Sequence, residues 1–148
     1  MRAPRVQSPA MAIPPEDEVV LDEPWVTIRW DSALGCLHSE WKGFATSAEF
    51  RAALMTAAEA FKKRHLSSYI SDTRKIKVIV HADQKWLEDV WIPLLVSEGL
   101  KRFALVTAAS GLGKATVEDV ITLEDNRRLL MRKFDSVSAA ERWIGEGG

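Results

Sequence analysis

The sequence predicts an α/β fold: a mixed, mostly parallel sheet of about five strands with amphipathic helices packed against it. Runs rich in β-branched and aromatic residues alternate with stretches whose apolar residues recur at helical spacing. Strands separated by helices imply right-handed crossovers and parallel neighbours. The chain has 148 residues and is 47% hydrophobic, which suits one domain with a substantial core. We expect this domain at 19–148, behind a flexible, proline-rich tail at 1–18.

The first two predicted strands form an antiparallel hairpin. Residues 25–30 (WVTIRW) are rich in β-branched and aromatic side chains, as strands are. Residues 31–33 supply turn chemistry, and 34–41 can return beside the first strand.

Two helices are predicted around a buried strand at 66–71. Thr46 and Glu49 have the spacing of a capping box at the start of the first helix. The second helix is expected at about 82–98, with Pro93 kinking or loosening the turn before it and Gly99 as its C-cap. Six residues on these elements and the next strand are expected in the core: Phe50, Leu54, Phe61, Leu87, Trp91 and Leu105.

The C-terminal part is predicted to continue the alternation. A buried strand is expected at 103–107, a third helix from near Thr116, and a strand at about 131–134. A last helix follows, capped by Ser136 or Ser138. The predicted order is therefore β-β-α-β-α-β-α-β-α.

Composition argues against several kinds of partner. Twenty basic and 21 acidic residues leave a net charge of −1, so the sequence lacks the basic footprint of a nucleic-acid-binding protein. No run approaches the ~18 apolar residues of a membrane span. Residues 1–10 lack the apolar core of a secretory signal, and a single cysteine, Cys36, allows no intrachain disulfide. A cytoplasmic protein is expected.

Two patterns suggest cofactor chemistry without meeting its requirements. The segment Gly111-Leu112-Gly113-Lys114 invites a phosphate-loop interpretation, but Ala108 and Ala115 stand where the motif needs glycine and Ser or Thr. We therefore expect no nucleotide hydrolysis. The three histidines, His38, His65 and His81, have no zinc-site spacing with one another or with Cys36. We therefore expect no metal and no cofactor.

The candidate site is Asp72-Thr73-Arg74, directly after the strand at 66–71, together with Trp86 near the start of the second helix. Loops after the carboxyl ends of parallel strands are where α/β proteins usually build sites. Arg74 could donate a fork of hydrogen bonds to an anion or a partner. The structural alternative is that Asp72 and Thr73 bond their own loop's amides while Arg74 neutralises Asp72.

The chain resembles the STAS/SpoIIAA-like family of small bacterial domains over about residues 20–145. The resemblance is carried by Ser71-Asp72-Thr73-Arg74, Asp83-Gln84-Lys85-Trp86, residues 98–106 (EGLKRFALV) and the ending at 134–144. In the signalling members of that family, an Asp-Ser pair after a strand carries a phosphorylatable serine. Asp72-Thr73 falls at a similar place, with threonine as the hydroxyl and Arg74-Lys75 where a small residue would open the helix.

The resemblance implies a non-enzymatic interaction or regulatory module. Its partner would be another protein, possibly a second copy of this chain. The alternative function is a small-molecule-binding protein, for an anionic or lipid-like ligand, and a closed apolar pocket with Arg74 pointing inward would favour it.

Overall fold

The computed structural model describes residues 18–76, 79–108, 118–122 and 128–147, with the backbone alone for 118–122 and Gly147. The strands are β1 (Glu18–Glu23), β2 (Val26–Asp31), β3 (Cys36–Trp41), β4 (Ser68–Asp72), β5 (Arg102–Val106), β6 (Glu118–Thr122) and β7 (Arg128–Phe134). The helices are α1 (Ser47–Lys63), α2 (His81–Trp86), a π-helical turn (Leu87–Trp91), α3 (Ile92–Ser97) and α4 (Val137–Gly147).

The described strands form one mixed sheet in the order β1-β2-β3-β4-β5-β7-β6. Its four central strands, β3, β4, β5 and β7, run parallel. The outer strands β1, β2 and β6 are antiparallel to their neighbours. The predicted α/β class is confirmed, as are the hairpin, the single sheet and the parallel pairing of β4 with β5.

Two elements differ from the prediction, so the sheet has seven strands rather than about five. Glu18–Glu23 forms edge strand β1, which the acidic composition of this stretch concealed. The third helix expected from near Thr116 is wrong, because Glu118–Thr122 pairs with β7 as strand β6. Its Val120, Ile121 and Thr122 are β-branched and favour strands. Residues 1–17 and the segment 111–114 lie outside the described residues, as do 77–78.

The helix predicted at 82–98 is a continuous run over 81–97 with a π turn at its centre. Leu87 and Ile92 keep right-handed helical dihedral angles, so the three segments join without a break. The Ile92 N–H donates to the Leu87 carbonyl five residues back. Pro93 directly follows this turn and has no N–H to donate, which accounts for the wider turn before it.

Local capping follows the sequence closely. Thr46 and Glu49 form both bonds of the predicted capping box on α1. Gly99 ends α3 with a φ of 115°, and its N–H and that of Leu100 donate to Val96 and Leu95 in a Schellman arrangement. Ser136 Oγ accepts from the Ala139 N–H and caps α4, as predicted.

Two apolar layers form the core, one on each face of the sheet. Helix α1 and the 81–97 helix cover the first face, which we call the front. Helix α4 covers the second face, the back, where Cys36 is fully buried. Of the six predicted core residues, Phe50, Leu54, Phe61 and Trp91 are buried, and Leu87 and Leu105 are partly buried. Among the described helices, we find none with the length and apolarity that crossing a membrane requires.

Candidate functional site

Asp72, Thr73 and Arg74 lie together at the carboxyl end of β4, and they bond one another and strand β5. The Arg74 guanidinium donates to both carboxylate oxygens of Asp72, from Nε over 2.9 Å and from Nη2 over 2.7 Å. The Arg74 N–H also donates to Asp72. The N–H and the hydroxyl of Thr73 both donate to the Val106 carbonyl, over 2.8 and 2.9 Å. The contacts of Asp72 and Arg74 are those expected if the loop has a structural role, with Asp72 bonded to a loop amide and Arg74 neutralising Asp72.

Charge in this loop is largely compensated. Burial alone would raise the pKa of Asp72, but the hydrogen bonds and charge of Arg74 outweigh it and hold that pKa below its usual value. The same pair raises the pKa of Arg74. The Asp72 side chain is only 5% exposed, whereas that of Arg74 is 43% exposed. A role for this loop in holding a partner stays a prediction.

Trp86 lies apart from this loop. It is partly buried, and the Arg51 guanidinium of α1 lies over its ring, 5.3 Å from the centroid. Trp86 lines neither of the two cavities described next, and of the predicted site residues Thr73 alone lines one of them. The structure therefore divides the predicted site into an ion-paired loop, a cavity-lining threonine and a tryptophan under an arginine.

An outer cleft of about 560 Å³ opens at the carboxyl edge of the front face. The segment 43–47 forms one side, and Lys75, Ile76, Ile79 and Val80 form the other. Phe44 stands at this cleft with 86% of its surface exposed. Val80 is also more than half exposed, so the mouth of the cleft presents apolar surface to solvent.

An inner cavity of about 240 Å³ lies beside this cleft, between the sheet and the 81–97 helix. The two share the side chains of Trp41, Phe50, Ile76 and Ile79. The sheet supplies the floor of the inner cavity through Trp41, Ser71, Phe103, Leu105 and Met131. The helix supplies a wall through Gln84, Leu87, Glu88, Trp91 and Ile92.

A buried carboxylate fixes the wall of this site. Asp83, 4% exposed, accepts from Ser47 Oγ over 2.7 Å and from Arg51 Nε over 2.8 Å. Arg51 also donates to the Ala82 carbonyl. These bonds join the start of α1 to the start of α2, and both Ser47 and Asp83 line the outer cleft.

The floor carries buried hydroxyls among apolar side chains. Ser39 and Ser71 are register partners on β3 and β4, 0% and 7% exposed, and Ser39 donates to Ser71 Oγ over 3.4 Å. Tyr69 faces the same layer, and burial raises the pKa of its hydroxyl. The nearby Ser39 hydroxyl lowers the pKa of Tyr69 and offsets part of this rise. It does not reach hydrogen-bond geometry, so the Tyr69 hydroxyl has no partner among the described residues.

The sequence did not single out Ser39 or Ser71 as site residues. Both serines occupy inward positions of their strands, where alternation calls for apolar residues. That departure from the pattern is the signal that could have singled them out.

The three histidines are separated in the structure. His38 is buried on β3, while His65 and His81 are exposed. Within the part of the chain that the structure describes, no group of three or more His, Cys, Asp or Glu side chains is placed to hold a metal ion.

Comparisons with protein-family models, curated proteins and solved structures found no significant match to this chain.

Proposed function

We propose that this chain is a non-enzymatic, cytoplasmic binding module that takes up a small, mostly apolar molecule at the carboxyl edge of its sheet. The inner cavity of about 240 Å³ carries the proposal. A cavity of ~150 Å³ lined by apolar side chains holds benzene. The present cavity is therefore large enough for a molecule of one or two rings.

The energetics of packing support a ligand. Apolar side chains that line an unfilled space lose packing contacts on that side, which costs free energy. A bound apolar molecule would recover much of that loss by restoring contacts. The exposed Phe44 and Val80 at the mouth give such a molecule an apolar route to the cavity.

The polar groups around the cleft support binding rather than catalysis. Asp83 is held by Ser47 and Arg51, and Asp72 by Arg74. Arg74 holds the pKa of Asp72 below its usual value, so this carboxylate is a poor proton donor.

Titration with 1-aminonaphthalene, a neutral two-ring probe whose fluorescence depends on the polarity of its surroundings, tests the proposal. We expect saturable 1:1 binding, and we expect Leu105→Phe, which fills the inner cavity, to weaken it. Leu130→Phe is the matched control, since Leu130 is also partly buried but packs on the back face. Absence of saturable binding to the wild-type protein would refute the function.

A second candidate is the protein-interaction module that the STAS-like resemblance implies. The exposure of Phe44 favours it, because large aromatic side chains are enriched in interfaces. If the partner is a second copy of this chain, sedimentation should show a dimer that Phe44→Ser dissociates. A wild-type monomer at all concentrations would remove the homodimer from consideration.

A further inference from the structure

We propose that the molecule bound in the inner cavity is neutral and carries an oxygen acceptor, which takes a hydrogen bond from the Ser71 hydroxyl. This inference rests on the binding function proposed above, and it names the chemical class of the ligand.

The first observation is the direction of the hydroxyl pair on the floor. In the geometry of this pair Ser39 is the donor to Ser71 Oγ, which leaves the hydrogen of Ser71 available to another acceptor. No acceptor for it is present among the described residues, and Ser71 lines the inner cavity. A ligand oxygen in the cavity can take this hydrogen.

The second observation is the cost of the arrangement. Ser71 is 7% exposed and Ser39 is fully buried, both on a face that otherwise carries the larger apolar core. A buried hydroxyl whose hydrogen bonds are incomplete costs free energy, about 1–3 kcal/mol by mutational measurements. The 3.4 Å separation of the two oxygens is long for a bond between hydroxyls, so the pair itself recovers little of that cost. A ligand acceptor would complete the bonding of Ser71.

The third observation concerns charge. The described residues that line the inner cavity include Glu88 and, outside the segment 77–78, no lysine or arginine. Arg74 is held by Asp72 and lines neither cavity, and Lys75 belongs to the outer cleft. An anion in the inner cavity would lose its hydration without gaining a counter-charge, which is strongly unfavourable. This favours a neutral molecule over the anionic ligand that the sequence left open.

Matched two-ring compounds test this inference through displacement of the fluorescent probe. Tetralone carries a carbonyl oxygen, tetralin has the same rings without it, and 1-naphthoate is an anion of similar size. Wild-type protein should bind tetralone at least as tightly as the more apolar tetralin, and naphthoate far more weakly.

The decisive variant is Ser71→Ala, with Ser68→Ala as its control. Ser68 lies on the same strand and is 8% exposed, but it alternates to the opposite face. Ser71→Ala should weaken tetralone binding about 5-fold, the effect of one hydrogen bond, and leave tetralin within about twofold. Ser68→Ala should change neither.

The outcomes separate the two proposals. Failure of the probe and of all three compounds to bind the wild-type protein would overturn both the function and this inference. Binding of tetralin with no dependence of tetralone on Ser71 would overturn the inference alone, as would preferential binding of naphthoate. Tighter binding of tetralin than of tetralone to the wild-type protein would contradict the inference even if Ser71→Ala did not fold.

Discussion

The indole N–H of Trp91 donates to the backbone carbonyl of Leu54 over 2.7 Å, which joins the π turn to the middle of α1. Trp91 is 1% exposed, and its ring meets that of Tyr69 edge-on at 5.2 Å. One side chain thus connects the two helices of the front face with the sheet, and it also forms part of the cavity wall.

We expect Trp91→Ala to lower the free energy of unfolding by about 3–5 kcal/mol, as for other large buried aromatics. Trp91→Phe should cost less, because it keeps most of the ring contacts and loses the bond to Leu54. Urea denaturation of the two variants measures both. A loss below about 1 kcal/mol for Trp91→Ala would contradict this packing.

The Asp83 network gives a second prediction. Asp83→Ala removes the carboxylate that Ser47 and Arg51 contact, and we expect a loss of about 2–3 kcal/mol on chemical denaturation. Lys85→Ala is a control on the same helix, since its ion pair with Asp89 is exposed to solvent. The control should leave stability nearly unchanged, and equal losses in the two variants would argue against a structural role for Asp83.

The ion pair after β4 gives a third prediction. Arg74→Ala leaves the buried Asp72 carboxylate without its charged donor, so we expect a loss of about 1–3 kcal/mol at neutral pH. Without Arg74 the pKa of Asp72 would be higher. The difference in stability between Arg74→Ala and the wild-type protein should therefore shrink as pH falls and Asp72 becomes protonated. Arg74→Lys keeps the charge without the two-pronged geometry, so it should lie in between. Thermal unfolding at several pH values measures this series.

His38 gives the fourth prediction, which concerns pH. Burial, followed by the charge of Arg29, lowers the pKa of His38 to about 4, against the opposing effects of Asp72 and Asp31. The Nδ1 atom lies 3.0 Å from the Arg29 guanidinium, which can only donate, so Nδ1 must be unprotonated. The unfolded state therefore binds the proton more readily than the folded state.

Since the folded pKa is depressed, the contribution of His38 to stability is fully present above pH ~6.5 and is lost as pH falls towards 4. We expect His38→Gln to remove up to about 3 kcal/mol of pH dependence in this window. His81→Gln, at an exposed position, is the control and should keep the wild-type profile. Parallel profiles for His38→Gln and the wild-type protein would contradict the assignment.

Short sequence patterns correctly predicted the ends of helices. The capping box at Thr46, the glycine end at Gly99 and the Ser136 cap all form as predicted, because each depends on a few neighbouring residues. The sequence failed where pairing between strands decided the outcome. Edge strand β1 and strand β6 are held by their neighbours, and their own residues gave an ambiguous pattern.

The site illustrates the same limit. The sequence placed Asp72, Thr73 and Arg74 together, since they are adjacent in the chain. It could not show that Ser39 meets Ser71 from 32 residues away, because that contact depends on the register of β3 against β4. It also could not reveal the cavity, whose described walls come from four strands, two helices and a loop.

The π turn also sets the rotational phase of the 81–97 helix. Removing one residue from Leu87–Trp91 would restore an ordinary helix and rotate α2 by about 100° relative to α3. Asp83 would then turn away from Ser47 and Arg51 while Trp91 kept its place above the sheet. The extra residue therefore lets a single helix place Asp83 against α1 at one end and Trp91 in the core at the other.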